Sequence, residues 1–137
     1  MEQSAEQACQ EILRLLASVK ITLLEFAEAQ GLTLVQLFSM DLIDQRGDLA
    51  MGQVADVLHC DASNVTGIVD RMVAQGLVVR RESTKDRRTK TLQLTAKGKE
   101  IVAALHAALP AKLHCDRLDA RERSTLHTIV QKVCSPS

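Results

Sequence analysis

The sequence predicts a mainly α-helical fold with a small β-hairpin wing, a winged helix-turn-helix joined to a further helical region. Two observations predict it. Apolar residues recur with helical spacing as far as Gly76 and then alternate with a period of two over Leu77–Glu82 and Thr89–Leu94. Two short helical patterns, Met51–Leu58 and Ala62–Gln75, come directly before this hairpin, and this order of elements is typical of the winged motif.

Composition places the chain among globular proteins. It has 137 residues, of which 46% are hydrophobic and 25% charged, enough for one domain with a proper core. No apolar run reaches the length of a membrane span, and the polar start MEQSAEQ does not resemble a signal peptide. We therefore expect a cytoplasmic protein without a membrane partner.

Two helical patterns precede the motif. The first covers residues 4–30 and carries an apolar stripe too broad for a single neighbour. Gly31 ends it. The second pattern opens at Thr33, an expected N-cap, with Gln36 in position to complete a capping box. Residues 48–50, which follow this helix, are long enough for one brief strand.

Two further helices are predicted after the hairpin. Thr95 caps the first, which runs from Ala96 towards Cys115 and is expected to bend at Pro110, because proline cannot donate a backbone hydrogen bond. Asp119, with a glutamate three residues later, opens the last helix.

Charge is unevenly distributed along the chain. The formal net charge is zero, but residues 71–99 hold nine basic and two acidic side chains, a net +7. The remainder holds eight basic and fifteen acidic side chains, a net −7. Positive potential is therefore concentrated in one segment, which indicates a polyanionic partner for that segment.

The second helix of the motif has the features of a helix that enters a major groove. Asp61 is a suitable N-cap for it, and Gly76 closes it. Asn64 can pair with the edge of adenine, and Thr66 can contact a thymine methyl group. Small or hydrogen-bonding residues occupy its outward positions: Ser63, Asn64, Thr66, Gly67, Asp70 and Arg71.

The predicted wing is strongly basic. Cations at the tip and on both strands repel one another unless they meet an anion, and DNA phosphates or a narrow minor groove would supply one. Asp86 is expected to form a salt bridge inside the wing that orients a neighbouring arginine. The basic residues are Arg80, Arg81, Lys85, Arg87, Arg88 and Lys90.

These residues, taken in order, resemble the MarR (multiple antibiotic resistance regulator) family of bacterial regulators, over Leu32–Ile101. The strongest motifs are Asp86-Arg87-Arg88 in the wing and Leu94-Thr95-Ala96-Lys97-Gly98 after it. Weaker ones are Leu32-Thr33 with Gln36, Gln53-Val54-Ala55-Asp56-Val57-Leu58, Ser63-Asn64-Val65-Thr66, Val69-Asp70-Arg71-Met72-Val73, Gly76-Leu77-Val78 and Leu118-Asp119-Ala120-Arg121-Glu122-Arg123.

The resemblance implies a homodimer whose first helix intertwines with the last two. Residues 1–32 and 96–137 would then form the dimerisation region, and residues 33–95 the DNA-binding region. The broad apolar faces of the terminal helices agree with this division. A two-fold dimer would select a near-palindromic operator, with half-sites roughly 34 Å apart. The family further implies repression that ends when a small, often phenolic or anionic effector enters a cleft between the dimer and DNA lobes.

A redox response is an alternative to a small effector, since some relatives respond through cysteine. Cys9 lies in the first helix, and Cys60 lies just before the recognition helix, where a helix N-terminus lowers the pKa of a thiol. Cys115 and Cys134 would be able to cross-link a dimer. Buried, inert thiols are the more common case for such scattered cysteines.

Three other functions are less consistent with the sequence. A metal-responsive regulator has suitable ligand types in His59, Cys60, His106, His114, Cys115, His127 and Cys134, but not the close spacing of a zinc site, so no metal is expected. No nucleophile motif, phosphate loop or carboxylate pair indicates an enzyme or a cofactor. A winged helix used for protein–protein contact would fit the fold but leaves the basic wing unexplained.

Overall fold

The described chain is a series of helices with three short strands, which together form one small sheet. The computed structural model describes residues 2–58 and 62–135, together with the side chains of this range except those of Ala62 and Ser63. Its elements are α1 (Ala5–Ala29), α2 (Leu34–Arg46), β1 (Leu49–Ala50), α3 (Met51–Leu58), α4 (Ala62–Ala74), β2 (Val78–Glu82), β3 (Lys90–Leu94), α5 (Ala96–Lys112), a short 3-10 helix (Cys115–Arg117) and α6 (Ala120–Cys134).

Capping boxes start three of the helices whose N-caps the structure describes. The side chains of Ser4, Thr33 and Asp119 each accept a backbone hydrogen bond at the N-termini of α1, α2 and α6, and the side chain three residues later accepts one from the backbone N–H of the cap residue. At α2 the two bonds measure 3.2 Å and 3.0 Å, between Thr33 and Gln36. The predicted caps of α2 and α6 are thus confirmed, whereas the predicted Asp61 cap lies outside the described residues.

A glycine ends α4, as predicted. Gly76 has φ 72°, a left-handed conformation that glycine adopts without strain. Its N–H donates to the carbonyl of Val73, and the N–H of Leu77 donates to Met72, which together make a Schellman cap. The chain leaves this cap directly into β2, so the wing starts at a fixed position relative to the end of α4.

The strands form one antiparallel sheet in the order β1-β3-β2. Arg80 lies opposite Leu92, and Glu82 lies opposite Lys90. Residues directly opposite in a ladder project to the same face, so Arg80 shares a face with the fully buried Leu92. The predicted brief strand is confirmed as β1, which pairs with β3 through Leu49 and Leu92.

The start of α5 is held against the end of α4. The Thr95 hydroxyl donates to the carbonyl of Gly76 at 2.6 Å and accepts the N–H of Gly98 at 3.1 Å, which confirms its capping role. Gly98 is buried, and a Cβ there would overlap the carbonyl oxygen of Leu77. The backbone of α5 therefore packs directly against the backbone of the turn between α4 and β2.

The chain divides into two compact units, residues 1–105 and 106–137. The core of the first unit contains Leu37, Met40, Val69, Met72 and Leu92, each at most 1% exposed. In the second unit, α5 ends at Lys112, earlier than predicted, and the 3-10 helix follows. Pro110 lies inside α5 near its end, and the predicted bend there stays a prediction.

Candidate nucleic-acid interface

Helix α4 has one buried and one exposed face. Val65, Ile68, Val69 and Met72 are buried and fix the orientation of the helix in the first unit. On the opposite side Asn64, Thr66 and Arg71 are exposed, and Gly67 is partly exposed. Ser63 belongs to α4, but its side chain lies outside the described residues. The predicted outward positions that the structure describes therefore share one exposed face of α4.

An ion pair connects this face to the wing. The Arg80 guanidinium on β2 donates to the Asp70 carboxylate on α4. The Arg80 side chain is 34% exposed and that of Asp70 is 59% exposed, so the pair lies at the surface. Arg80 reaches α4 because it projects to the sheet face that it shares with Leu92. Sequence reasoning placed both residues on their elements but missed that they pair.

Internal hydrogen bonds shape the wing loop, residues 83–89. The Ser83 hydroxyl accepts the N–H groups of Lys85 and Asp86 at 3.2 Å and 3.4 Å. The Asp86 carboxylate accepts the backbone N–H of Arg88 at 3.0 Å, an Asx-type turn. Asp86 is absent from the ion pairs of the described residues, so its observed partner is the Arg88 backbone and not the guanidinium that we predicted.

The basic side chains of the wing are exposed. Lys85, Arg87 and Arg88 occupy the loop, and Lys90 begins β3. Lys90 pairs with Glu82 across the strands at 3.7 Å, and both side chains are more than half exposed. Of these four cations, Lys90 is the one with an acidic partner among the described ion pairs. The loop therefore presents three cations to whatever approaches the wing.

A side-chain network holds the C-terminal end of α4. The Gln75 side chain accepts from Gln36 Nε2 at 3.1 Å and donates to the Gly31 carbonyl at 3.4 Å. The Gln75 carbonyl accepts from Lys97 Nζ at 3.1 Å. Sequence reasoning missed this network, for which the polar Gln36 among the mainly apolar residues of α2 was the available signal. The network connects α2, α4 and α5 around the helix that carries the exposed face.

The cysteines and histidines do not form a cluster among the described residues. Cys9 and Cys134 are exposed, Cys115 is partly exposed, and all three are free thiols. Cys60 and His59 lie outside the described residues. No group of three His, Cys, Asp or Glu side chains in residues 2–58 and 62–135 has the geometry to hold a metal ion. Nor is any helix of the described part both long and apolar enough to span a bilayer.

Comparison with known proteins identifies the family. The sequence model of the MarR family matches residues 32–90. The transcriptional repressor MprA of Escherichia coli (strain K12) is 30% identical over 139 residues, which cover 92% of this chain and 77% of MprA. This chain belongs to the MarR family. The resemblance inferred from the wing and recognition-helix motifs is confirmed.

Two further relatives of this MarR family member are informative. MdtR of Bacillus subtilis (strain 168), an HTH-type transcriptional repressor, is 34% identical over 84 residues, or 61% of this chain and 54% of MdtR. The chain thus spans about half the length of that relative. A crystal structure of mutant MarR from E. coli complexed with operator DNA superimposes with a TM-score of 0.65 at 24% identity, over 97% of this chain and 100% of that one. The predicted fold class is confirmed.

Proposed function

We propose that this chain is a sequence-specific regulator of transcription that binds double-stranded DNA, acting in the cytoplasm as a homodimeric repressor and without catalytic activity. The observation that carries the proposal is the connection of a cationic wing to the exposed face of α4 through Asp70 and Arg80. A helix in the major groove needs a fixed angle and an adjacent cation to hold the phosphate backbone. Relatives named as repressors, and a MarR bound to its operator, support it.

The roles of individual residues follow from their positions. Ser63, Asn64, Thr66 and Gly67 would face base edges, since they lie in the N-terminal half of α4. Lys85, Arg87, Arg88 and Lys90 of the wing and Arg71 of α4 would contact phosphates or a narrow minor groove. In this arrangement Asp86 shapes the loop that carries two of the arginines.

Exposed apolar faces on the terminal helices support the dimer. On α1, Leu13 and Leu16 are 64% and 59% exposed, and on α6, Ile129 and Val133 are 48% and 58% exposed. Contiguous apolar surface of this kind marks an interaction site. A second copy of the chain would cover both helices, with residues 1–32 and 96–137 as the dimerisation region and residues 33–95 as the DNA-binding region.

An apolar cavity supports control by a small molecule. It has a volume of about 440 Å³ and lies between α2 and α3, lined mainly by Val35, Phe38, Leu42 and Val57. These residues belong to the DNA-binding region, so this cavity is not the cleft between the two lobes that the family resemblance implies. Phe38 is 46% exposed there, so the cavity is open to solvent. An effector in this cavity would press on α3, which packs against α4. Phenolic compounds would be screened first, and peroxide would test the alternative response through the exposed Cys9.

Salt dependence of DNA affinity tests the proposal. A duplex enriched from a random pool by repeated selection would be labelled and titrated with the full chain between about 50 and 200 mM salt. Because phosphate contacts release counterions, affinity should fall by more than about tenfold, and Arg88→Ala should flatten the slope. Arg14→Ala, an exposed arginine on α1, is the matched control and should leave the slope unchanged. Failure to bind, or binding indifferent to salt and Arg88, would favour a protein–protein module instead.

A further inference from the structure

Gly67 is a glycine that the fold does not need. It lies in the middle of α4, and it is absent from the glycines with a left-handed φ, which are Gly31, Gly47 and Gly76. A Cβ added at Gly67 would have no neighbour within 4 Å. Neither backbone conformation nor packing therefore requires glycine, although glycine in a helix is less favourable than alanine by roughly 0.5–1 kcal/mol.

Gly98, by contrast, is a glycine that the packing of this chain requires. There a Cβ would overlap the Leu77 backbone, so glycine is necessary for α5 to approach the α4–β2 turn. Gly67 has the opposite environment, open space on the exposed face. A role for glycine at this position would therefore lie in what approaches the exposed face of α4.

The position of Gly67 indicates what approaches it. The buried residues Val65, Ile68, Val69 and Met72 lie on one side of α4, and helical spacing puts Gly67 near the centre of the other side. Asp70, one turn further along, has its charge compensated by Arg80, so it does not repel an approaching polyanion as a lone carboxylate would. Because Gly67 has no side chain, it leaves a notch between its polar neighbours, and the floor of this notch is the Cα of Gly67.

We infer that Gly67 is a specificity-determining residue that admits the 5-methyl group of a thymine. This inference rests on the proposed DNA-binding function. Base edges in the major groove carry nitrogen and oxygen groups that need hydrogen-bond partners, and the thymine methyl is the one bulky apolar group among them. The Gly67 position has no donor or acceptor side chain of its own, and this favours the methyl group over a polar base group at that point of the helix. Each half-site then contains an A·T pair opposite Gly67.

Replacing thymine by deoxyuracil tests the inference, because deoxyuracil keeps every hydrogen-bonding group and lacks the methyl. Each thymine of the selected duplex would be replaced in turn and the affinity measured. Wild-type protein should lose about fivefold or more at one symmetry-related pair of positions. Gly67→Ala should fill the notch, weaken binding to the thymine duplex by about tenfold, and bind the uracil duplex at that position as well as or better than the thymine duplex.

Gly52→Ala is the matched control, since Gly52 lies in α3 and a Cβ there also meets nothing within 4 Å. Both substitutions should raise Tm, by up to about 4 °C, and Gly67→Ala alone should change the thymine preference. A uracil scan without effect on wild-type protein, or equal changes for both variants, overturns the inference. Failure of wild-type protein to enrich any duplex would overturn the proposed function itself.

Discussion

The Asp70 carboxylate on α4 receives the Arg80 guanidinium of β2, so the helix that would read DNA and the wing that would hold it share one ion pair. The two residues are ten apart in the chain, on either side of the Gly76 cap. Because the cap fixes the course of the backbone and the pair fixes the side chains, the wing is attached to α4 at two points.

The first prediction concerns this pair. Asp70→Asn and Arg80→Gln should each lower the free energy of unfolding by less than about 1 kcal/mol, since both side chains are partly solvated. Urea unfolding of both single variants and the double variant would give a coupling energy of about 0.2–1 kcal/mol that decreases at high salt. Strict additivity of the two substitutions would mean that the pair contributes nothing to folding.

The second prediction separates base reading from phosphate contact. Asn64→Ala should change which sequences are enriched from a random duplex pool, because an asparagine in the N-terminal half of α4 would pair with an adenine edge. Lys85→Ala should weaken all sequences alike, because a wing lysine would contact phosphate. Parallel selections with the two variants provide the measurement. An equal loss on every sequence for Asn64→Ala would end its assignment as a base reader.

The third prediction concerns the contact between Gly98 and the Leu77 backbone. Gly98→Ala should destabilise the protein by about 1–3 kcal/mol, because the added methyl overlaps a backbone oxygen that the Gly76 cap holds in place. Thermal and urea unfolding would measure the loss. Gly52→Ala provides the contrast, with an expected gain of up to about 1 kcal/mol. A Gly98→Ala variant as stable as the wild-type protein would show that the backbone of the α4–β2 turn shifts at little cost to accommodate the methyl group.

The fourth prediction concerns the exposed faces of the terminal helices. Leu16→Glu on α1 or Ile129→Glu on α6 should convert a dimer to a monomer in sedimentation experiments, because each places a charge in a surface that the second copy would cover. Arg14→Glu adds the same side chain on the opposite side of α1 and disrupts only an exposed pair with Glu11, so it should remain dimeric. A wild-type monomer at micromolar concentration would contradict the proposed dimer.

Local chemistry explains why most of the fold could be predicted. Thr33 with Gln36, Asp119 with Glu122, and Gly76 set helix ends through bonds between residues a few positions apart. Such bonds depend on the immediate sequence, and so does the alternation that marks β2 and β3. The predicted boundaries of α4, β2 and β3 are therefore within a residue of those observed.

Contacts between distant residues could not be predicted in the same way. Gln36 and Gln75 are 39 residues apart, and their hydrogen bond depends on how α2 packs against α4. The partner of Asp86 illustrates the same limit at short range. A carboxylate beside two arginines suggested an ion pair, but the backbone N–H of Arg88 lies closer within the turn, and a backbone donor is held in place without loss of side-chain entropy.

The network at Gln75 has a mechanical consequence. The Gln75 side-chain amide bridges the Gly31 turn and Gln36, and the Gln75 backbone carbonyl accepts a hydrogen bond from Lys97. Hydrogen bonds of this kind weaken once the heavy atoms separate by more than about 0.5 Å beyond their present spacing. Movement of α2 along its axis would therefore either shift the C-terminal end of α4 as well or break these hydrogen bonds. Gln75 would then be the fixed point about which α4 rotates.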